Sequence, residues 1–265
     1  MCDRCGCELP DPRTDSDSRF VPAAVSAASG PRVGSEPGTD PRPRGREIEI
    51  QQRLLEDNDR LARHNREHFA EHGIVAVNLM GAPGAGKTAL LEATIRATAG
   101  RWRVAAIEGD QATQRDRDRI AAAGAPVEQI ETGLGCHLDA HQVHHALDAL
   151  PLAEVDVLFI ENVGNLVCPA LFDLGEQLRV VLTSATEGAD KPLKYPPMFR
   201  AAELILLNKV DLLPHVRFDL GEWRAHVAAI NPRATVLTIS AITGAGIDEW
   251  IAALAAAGRN RRERA

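Results

Sequence analysis

The sequence predicts an α/β fold built on a mostly parallel sheet, and three observations predict it. Short β-branched and aliphatic runs alternate with longer helix-like stretches along most of the chain. One such run, Ile74–Met80, empties into Gly81-Ala-Pro-Gly-Ala-Gly86-Lys87-Thr88, and the helix-like Ala89–Thr98 follows. Polar residues then stand at the C-terminal ends of later runs, at Asp110, Glu161 and Asn208. In an open parallel sheet these ends are where ligands bind.

The Gly81–Thr88 stretch fits G-x-x-x-x-G-K-[ST] in full, and each residue type has a chemical reason. Glycines at 81, 84 and 86 let the backbone curl until successive N–H groups point at phosphate oxygens. Ala85 and Ala89 lend main-chain N–H groups, and the helix adds its unpaired donors and positive dipole end. Lys87 bridges the β- and γ-phosphates of such a ligand, and the Thr88 hydroxyl ligates Mg²⁺. The chain is therefore expected to bind a nucleoside triphosphate.

Bulk properties narrow the setting. The 265 residues carry a formal charge of −7, which argues against a general nucleic-acid binder. No apolar run reaches ~18 residues, so no membrane span is expected. The polar start, MCDRCGC, has no signal-peptide core, which points to the cytoplasm. Disulfides are rare there, so the five cysteines need another role. Their clustering at Cys2, Cys5 and Cys7, with Cys136 and Cys168 far away, suggests two metal sites.

In chain order, residues 1–7 form a Cys-x-x-Cys-x-Cys motif able to grip one soft or borderline cation. Ni²⁺ and Zn²⁺ both suit these donors; a redox pair is the less favoured alternative. Residues 8–45 are rich in Pro, Ser, Asp, Arg and Gly and read as a flexible tether. From about Glu47 to His72 the pattern is helical, with Ile48, Leu54, Leu55, Leu61 and Phe69 as its apolar stripe. His64, His68 and His72 share a face of that helix; a solvated face is preferred to a chelating ladder.

After the phosphate loop, Arg103–Ile107 reads as a strand that delivers Asp110, and a helix follows over Gln111–Ala123. Asp110 is placed to hold Mg²⁺ through water or to orient the attacking water, in preference to a helix N-cap. Val127–Glu131 is the next strand, and adjacent Cys136 and His137 follow it. Val155–Ile160 delivers Glu161 toward the Mg²⁺ shell. Gly164 lets its N–H turn to the γ-phosphate, with Cys168 four residues beyond. A metal held by Cys136, His137 and Cys168 would thus be tied to nucleotide state.

Leu178–Leu182 is a further strand, and Ala185–Arg200 a proline-broken loop whose Lys194 is either superficial or reaches a partner's nucleotide. Leu204–Leu207 precedes Asn208-Lys209-Val210-Asp211, which fits guanine. Asp211 accepts from the base N1–H and amino group, Asn208 meets the base edge and Lys209 packs along the ring. Adenine offers no matching donor pair. Thr235–Ile239 ends in Ser240-Ala241, whose backbone supports the base; Ile247–Leu254 is a closing helix, and 258–265 a basic tail.

CDRCGC, NLMGAPGAGKT, IEGDQAT, ETGLGCHLDAH, FIENVGNLVCPA, TEGADKPLKYP and LNKVDLL together resemble the HypB family of nickel-insertion GTPases in [NiFe]-hydrogenase maturation. The resemblance covers residues 1–7 and almost all of 50–257. It implies a doubly wound, mostly parallel P-loop GTPase fold of the SIMIBI-like kind over 46–257, with a disordered metal-binding tail. It implies slow GTP hydrolysis to GDP and a GTP-dependent homodimer. Nickel, or zinc, would sit at Cys136, His137 and Cys168, and a tighter nickel site at Cys2, Cys5 and Cys7. A small zinc-containing HypA-type protein and the hydrogenase large subunit would be partners. Residues 8–63 lack the histidine tracts of many relatives, so bulk nickel storage is not expected. Glu161-x-x-Gly164 replaces the Asp-x-x-Gly of Ras-like switches, and no glutamine is aligned to activate water.

Overall fold

The computed structural model describes residues 44–110, 114–133 and 135–262. The Cys2, Cys5 and Cys7 motif, and all of the 8–45 tether except its last two residues, lie outside the described set. The chain divides into two units, Met1–Ile48 and Glu49–Ala265, and the second contains the sheet and every side-chain contact discussed below.

The elements run α1 (Arg44–Glu71), β1 (Val75–Gly81), α2 (Lys87–Thr98), β2 (Val104–Asp110), α3 (Arg115–Ala122), β3 (Val127–Glu131) and α4 (Ala140–Leu147). They continue with β4 (Val157–Glu161), β5 (Leu178–Ser184), α5 (Lys191–Lys194), α6 (Pro196–Ala201), β6 (Leu204–Asn208), α7 (Leu220–Ile230), β7 (Thr235–Thr238) and α8 (Ile247–Arg262). The seven strands form one sheet in the order β3-β2-β4-β1-β5-β6-β7, and every pairing is parallel.

Side chains alternate across a strand, so β1 feeds both faces of the sheet. Val77 and Leu79 pack with Leu90, Leu91 and Trp250. On the other face Ala76 joins Phe69 and Val143, while Met80 joins Met198, Phe199 and Trp223. Both faces are covered, as the near-continuous apolar strands require. The doubly wound parallel fold is thus the one the sequence implied.

Several boundaries differ from expectation. β2 runs on through Asp110, because β3 lies alongside and extends the ladder with Gly109 opposite Ile130 and Asp110 opposite Glu131. The side chain of Asp110 lies outside the described set, as do residues 111–113. The expected loop at 185–200 holds two short helices, since its prolines occupy first-turn positions where no N–H is needed. α7 was not anticipated; Asp219 caps it by accepting from the Glu222 N–H at 2.9 Å. α8 continues to Arg262, into the expected basic tail.

The largest correction concerns α1. Leu54 is 61% exposed, and the buried positions are Asn58, Ala62, Asn65 and Phe69. Asn58 donates to Asp173 O at 2.8 Å and accepts from Ala140 N at 2.9 Å. Asn65 donates to Ala140 O at 2.8 Å and to Leu174 O at 3.1 Å. Arg66 grips both oxygens of Asp173 at 2.9 Å. The helix is docked by directional bonds to main chain as much as by apolar contact. Replacing Asn65 with Leu removes two buried hydrogen bonds and should lower stability by about 1–3 kcal/mol in urea titration. Leu54→Ala, at the expected stripe, should stay within about 0.5 kcal/mol.

Candidate functional site

The loop between β1 and α2 curls through Gly84 and Gly86, at φ 76° and 97°. A Cβ on Gly86 would lie 2.5 Å from Asn208 Nδ2. That close approach has a purpose: Asn208 donates to Ala85 O at 2.9 Å and accepts from Ala241 N at 3.1 Å. Lys209 reaches across to Gly84 O at 2.7 Å. Its φ of 61° is the only positive one at a described non-glycine residue, a conformation held by these contacts. The amide of Asn208, expected at a base edge, thus couples the Gly-rich loop to Ser240–Ala241. Ser240 is buried and accepts from Thr243 N at 3.1 Å. Asp211 follows on the exposed rim.

Lys87, Thr88 and Glu161 converge on a cleft of about 380 Å³ at the C-terminal edge of the sheet, with Gly84, Gly86 and Gly164 in its wall. Thr88 Oγ1 donates to Glu161 Oε1 at 3.0 Å. Glu161 Oε2 is buried and has no hydrogen-bond partner among the described residues. Burial pushes the Glu161 carboxyl up to about 7, against the pull of Lys87 and the Thr88 hydroxyl. A buried hydroxyl–carboxylate pair with one free oxygen fits a hard divalent cation, so the donors expected for Mg²⁺ suit that ion. Asp116 and Arg119 also line the cleft, joined at 2.8 Å, with Arg119 held at 3.0 Å by Glu92. Sequence reasoning missed both; their only signal was the Asp/Arg density of α3.

Cys136, His137 and Cys168 meet as expected. One donor atom from each lies within 4.8 Å of the other two, and all three residues are half-buried. The Sγ atoms of the two free thiols are 2.9 Å apart, and His137 Nδ1 lies 3.5 Å from Cys136 Sγ. His137 stacks on Phe172 at 3.9 Å, and burial lowers its pKa, keeping the imidazole neutral. The Cys136 partner and burial raise the Cys168 pKa. Two thiols and one neutral imidazole suit a borderline cation such as Ni²⁺ or Zn²⁺, with a position left open.

Short links join the cleft to these donors. Gly81, closing β1, forms an isolated antiparallel bridge with Asn165. The Asn165 amide donates to Cys136 O at 3.2 Å. Asn162 Oδ1 accepts from Leu138 N at 3.1 Å and from Val163 N at 3.0 Å. A Cβ on Gly164 would lie 2.9 Å from the Pro83 ring, so only glycine lets the two loops touch. Lys194, by contrast, is exposed and paired with Asp190 at 2.6 Å.

Comparison with known proteins agrees with this arrangement. Residues 75–238 match the family CobW/HypB/UreG, nucleotide-binding domain. The hydrogenase maturation factor HypB of Azotobacter vinelandii is 46% identical over 95% of this chain and 91% of its own length. The crystal structure of hydrogenase maturation factor HypB from Archaeoglobus fulgidus aligns with a TM-score of 0.72 at 46% identity, over 77% of this chain and 100% of that one. That of HypB from Helicobacter pylori in complex with nickel aligns with a TM-score of 0.74 at 34% identity, over 77% and 96%.

The Glu161 carboxyl carries a pH signature. Its folded pKa, about 7, lies above the ordinary 4.5, so its stabilising share is complete below about 4.5 and lost as pH rises through about 7. Nucleotide-free protein should lose up to roughly 3 kcal/mol from this group between about pH 4.5 and 8. Glu161→Gln should remove that component in urea unfolding across the range. A wild-type-minus-variant difference that does not change with pH would sink the assignment.

Proposed function

The chain belongs to the HypB family of hydrogenase maturation factors, and from that premise we propose that it is a GTP-hydrolysing nickel chaperone acting in the cytoplasm. It delivers nickel to the large subunit of a [NiFe]-hydrogenase, with nucleotide state gating metal affinity and dimerisation. One observation supports the gating: a short described path, Gly81–Asn165–Cys136, links the phosphate loop to the thiol pair. Nickel as cargo is supported by the Cys136, His137 and Cys168 donor set and by the nickel complex of the Helicobacter pylori relative. Zinc suits the same donors.

In this reading the Gly81–Gly86 backbone and Lys87 bind the β- and γ-phosphates, with Ala85 and Ala89 contributing N–H groups. Asp211 selects guanine, while Asn208, Lys209 and the Ser240–Ala241 backbone hold the base loop against the phosphate loop. Thr88 and Glu161, with Asp110 through water, would hold Mg²⁺, which would supply positive charge to the triphosphate. Gly164 donates its N–H toward the γ-phosphate, which draws residues 161–164 inward. Asn165 moves with them and shifts Cys136 relative to Cys168, three residues further on. Loss of the γ-phosphate on hydrolysis releases the strain and changes nickel affinity. Turnover is slow in this reading, since no glutamine stands among the described residues that line the cleft. Linkage makes the coupling reciprocal, so nickel changes GTP affinity by the same factor. The N-terminal Cys2, Cys5 and Cys7 hold a second nickel site, and a HypA-type partner completes the transfer.

Nickel titration in GDP and in a non-hydrolysable GTP analogue, on a Cys2/Cys5/Cys7→Ala variant, tests the gate. One site with nucleotide-dependent affinity is expected; equal affinities would leave a passive metal buffer. Asp211→Asn should weaken GTP binding by at least about 10-fold, because the guanine donors lose their acceptor. Xanthine nucleotide, whose edge complements an amide, should bind that variant better than GTP does in competition assays.

A further inference from the structure

A second convergence of ligand atoms lies away from the cysteines. His64 and His68 stand one turn apart on α1, and His144 faces them from α4. Ring centroids are 4.7 Å apart for His64–His68, 5.0 Å for His64–His144 and 5.6 Å for His68–His144. One nitrogen from each of the three half-buried rings lies within 4.8 Å of the other two. Small rotamer changes bring such atoms to the ~2.0–2.1 Å that imidazole–metal bonds require.

The hydrogen bonds around the rings leave lone pairs bare. The Asn65 amide nitrogen donates to Ala140 O and Leu174 O, at 2.8 and 3.1 Å, which fixes the amide's orientation. Its oxygen therefore faces His144 Nδ1 at 3.2 Å and accepts that proton. His144 Nε2 is left as an acceptor, oriented from behind in the manner of metal-bound histidines. His64 Nε2 is buried and has no hydrogen-bond partner among the described residues. The other His64 nitrogen has Glu67 at 3.9 Å. Edge-to-face ring packing accounts for the spacing but not for a buried imidazole nitrogen with no partner.

The geometry points to a three-imidazole site at His64, His68 and His144 that takes one borderline divalent cation, Ni²⁺ or Zn²⁺. It is chemically distinct from the Cys136–His137–Cys168 set, since it offers no thiolate, and an open position remains for water. The two donor sets share one stretch of chain: α4, which carries His144, begins three residues after His137. A thiolate-free site beside a thiolate one holds the ion more loosely and suits brief residence on the way to or from the cysteines. The solvated reading preferred from sequence overlooked His144, which comes from a helix some 70 residues away.

The test uses the full chain with all five cysteines changed to Ser, without nucleotide, so that it does not depend on the gating proposal. Equilibrium dialysis against Co²⁺ and Ni²⁺ should retain roughly one ion per chain, and Co²⁺ should show visible d–d bands without a thiolate charge-transfer band. Adding His64→Gln, His68→Gln and His144→Gln should weaken retention by at least about 10-fold. Adding instead His141→Gln and His145→Gln, an exposed pair on α4, should leave retention unchanged. Thermal unfolding checks each variant; if the triple one is not folded, His144→Gln alone should show the loss. No retention by the cysteine-free chain, retention that survives loss of the three histidines, or loss with the His141/His145 pair would each overturn the site.

Discussion

The carboxyl edge of the sheet depends on how closely main chain can approach Gly81. A Cβ there would collide with the Leu182 carbonyl oxygen of the neighbouring strand. Its absence lets β5 close against β1 while Asn165 bridges the same residue. Three segments thus meet at one backbone position: the phosphate loop, the Leu182 end of β5 and the loop that leads to Cys168. Gly164 repeats the device one loop away by letting Pro83 pack directly on its α-carbon. A larger residue at either point separates the cleft from the sulfur donors before it touches any ligand.

Both candidate centres hold one acid's pKa above its ordinary value, and for related reasons. Burial outweighs the attraction of Lys87 and pushes the Glu161 carboxyl up to about 7. The Cys168 thiol is pushed up by its hydrogen bond with Cys136 Sγ at 2.9 Å and then by burial. A cation entering either place must displace a proton. Occupancy at the two centres therefore shares one sign of pH dependence, although one set of donors is hard oxygen and the other soft sulfur.

The candidate site residues were legible because each sits next to an unmistakable local pattern. The Gly-rich loop follows a buried strand, Glu161 ends an apolar run, and Asn208 to Asp211 follow another. Cys136, His137 and Cys168 were brought together on the same logic, and their donor atoms do converge. What local pattern could not show is how polar groups serve packing. The α1 stripe was sought among leucines, whereas Asn58 and Asn65 occupy the buried face because they satisfy main chain in α4 and near Leu174. Asn208 was read for the base, yet its amide ties two loops together. α7 escaped notice because its signal is a single capping aspartate rather than a strong stripe. The asparagine roles depend on partners more than 30 residues away, which no window along the chain contains.

The docking of α1 by asparagines has an evolutionary consequence. An apolar stripe tolerates sliding, because one methyl group substitutes for another. Asn58 and Asn65 instead address particular carbonyl and amide groups, and Gly175 can lie against Ala62 O only without a Cβ, which would come within 2.6 Å of it. Inserting one residue rotates everything beyond it by about 100° and points the amides at water. Lineages can therefore rewrite the outward face of this helix freely while its length between Asn58 and Phe69 stays frozen.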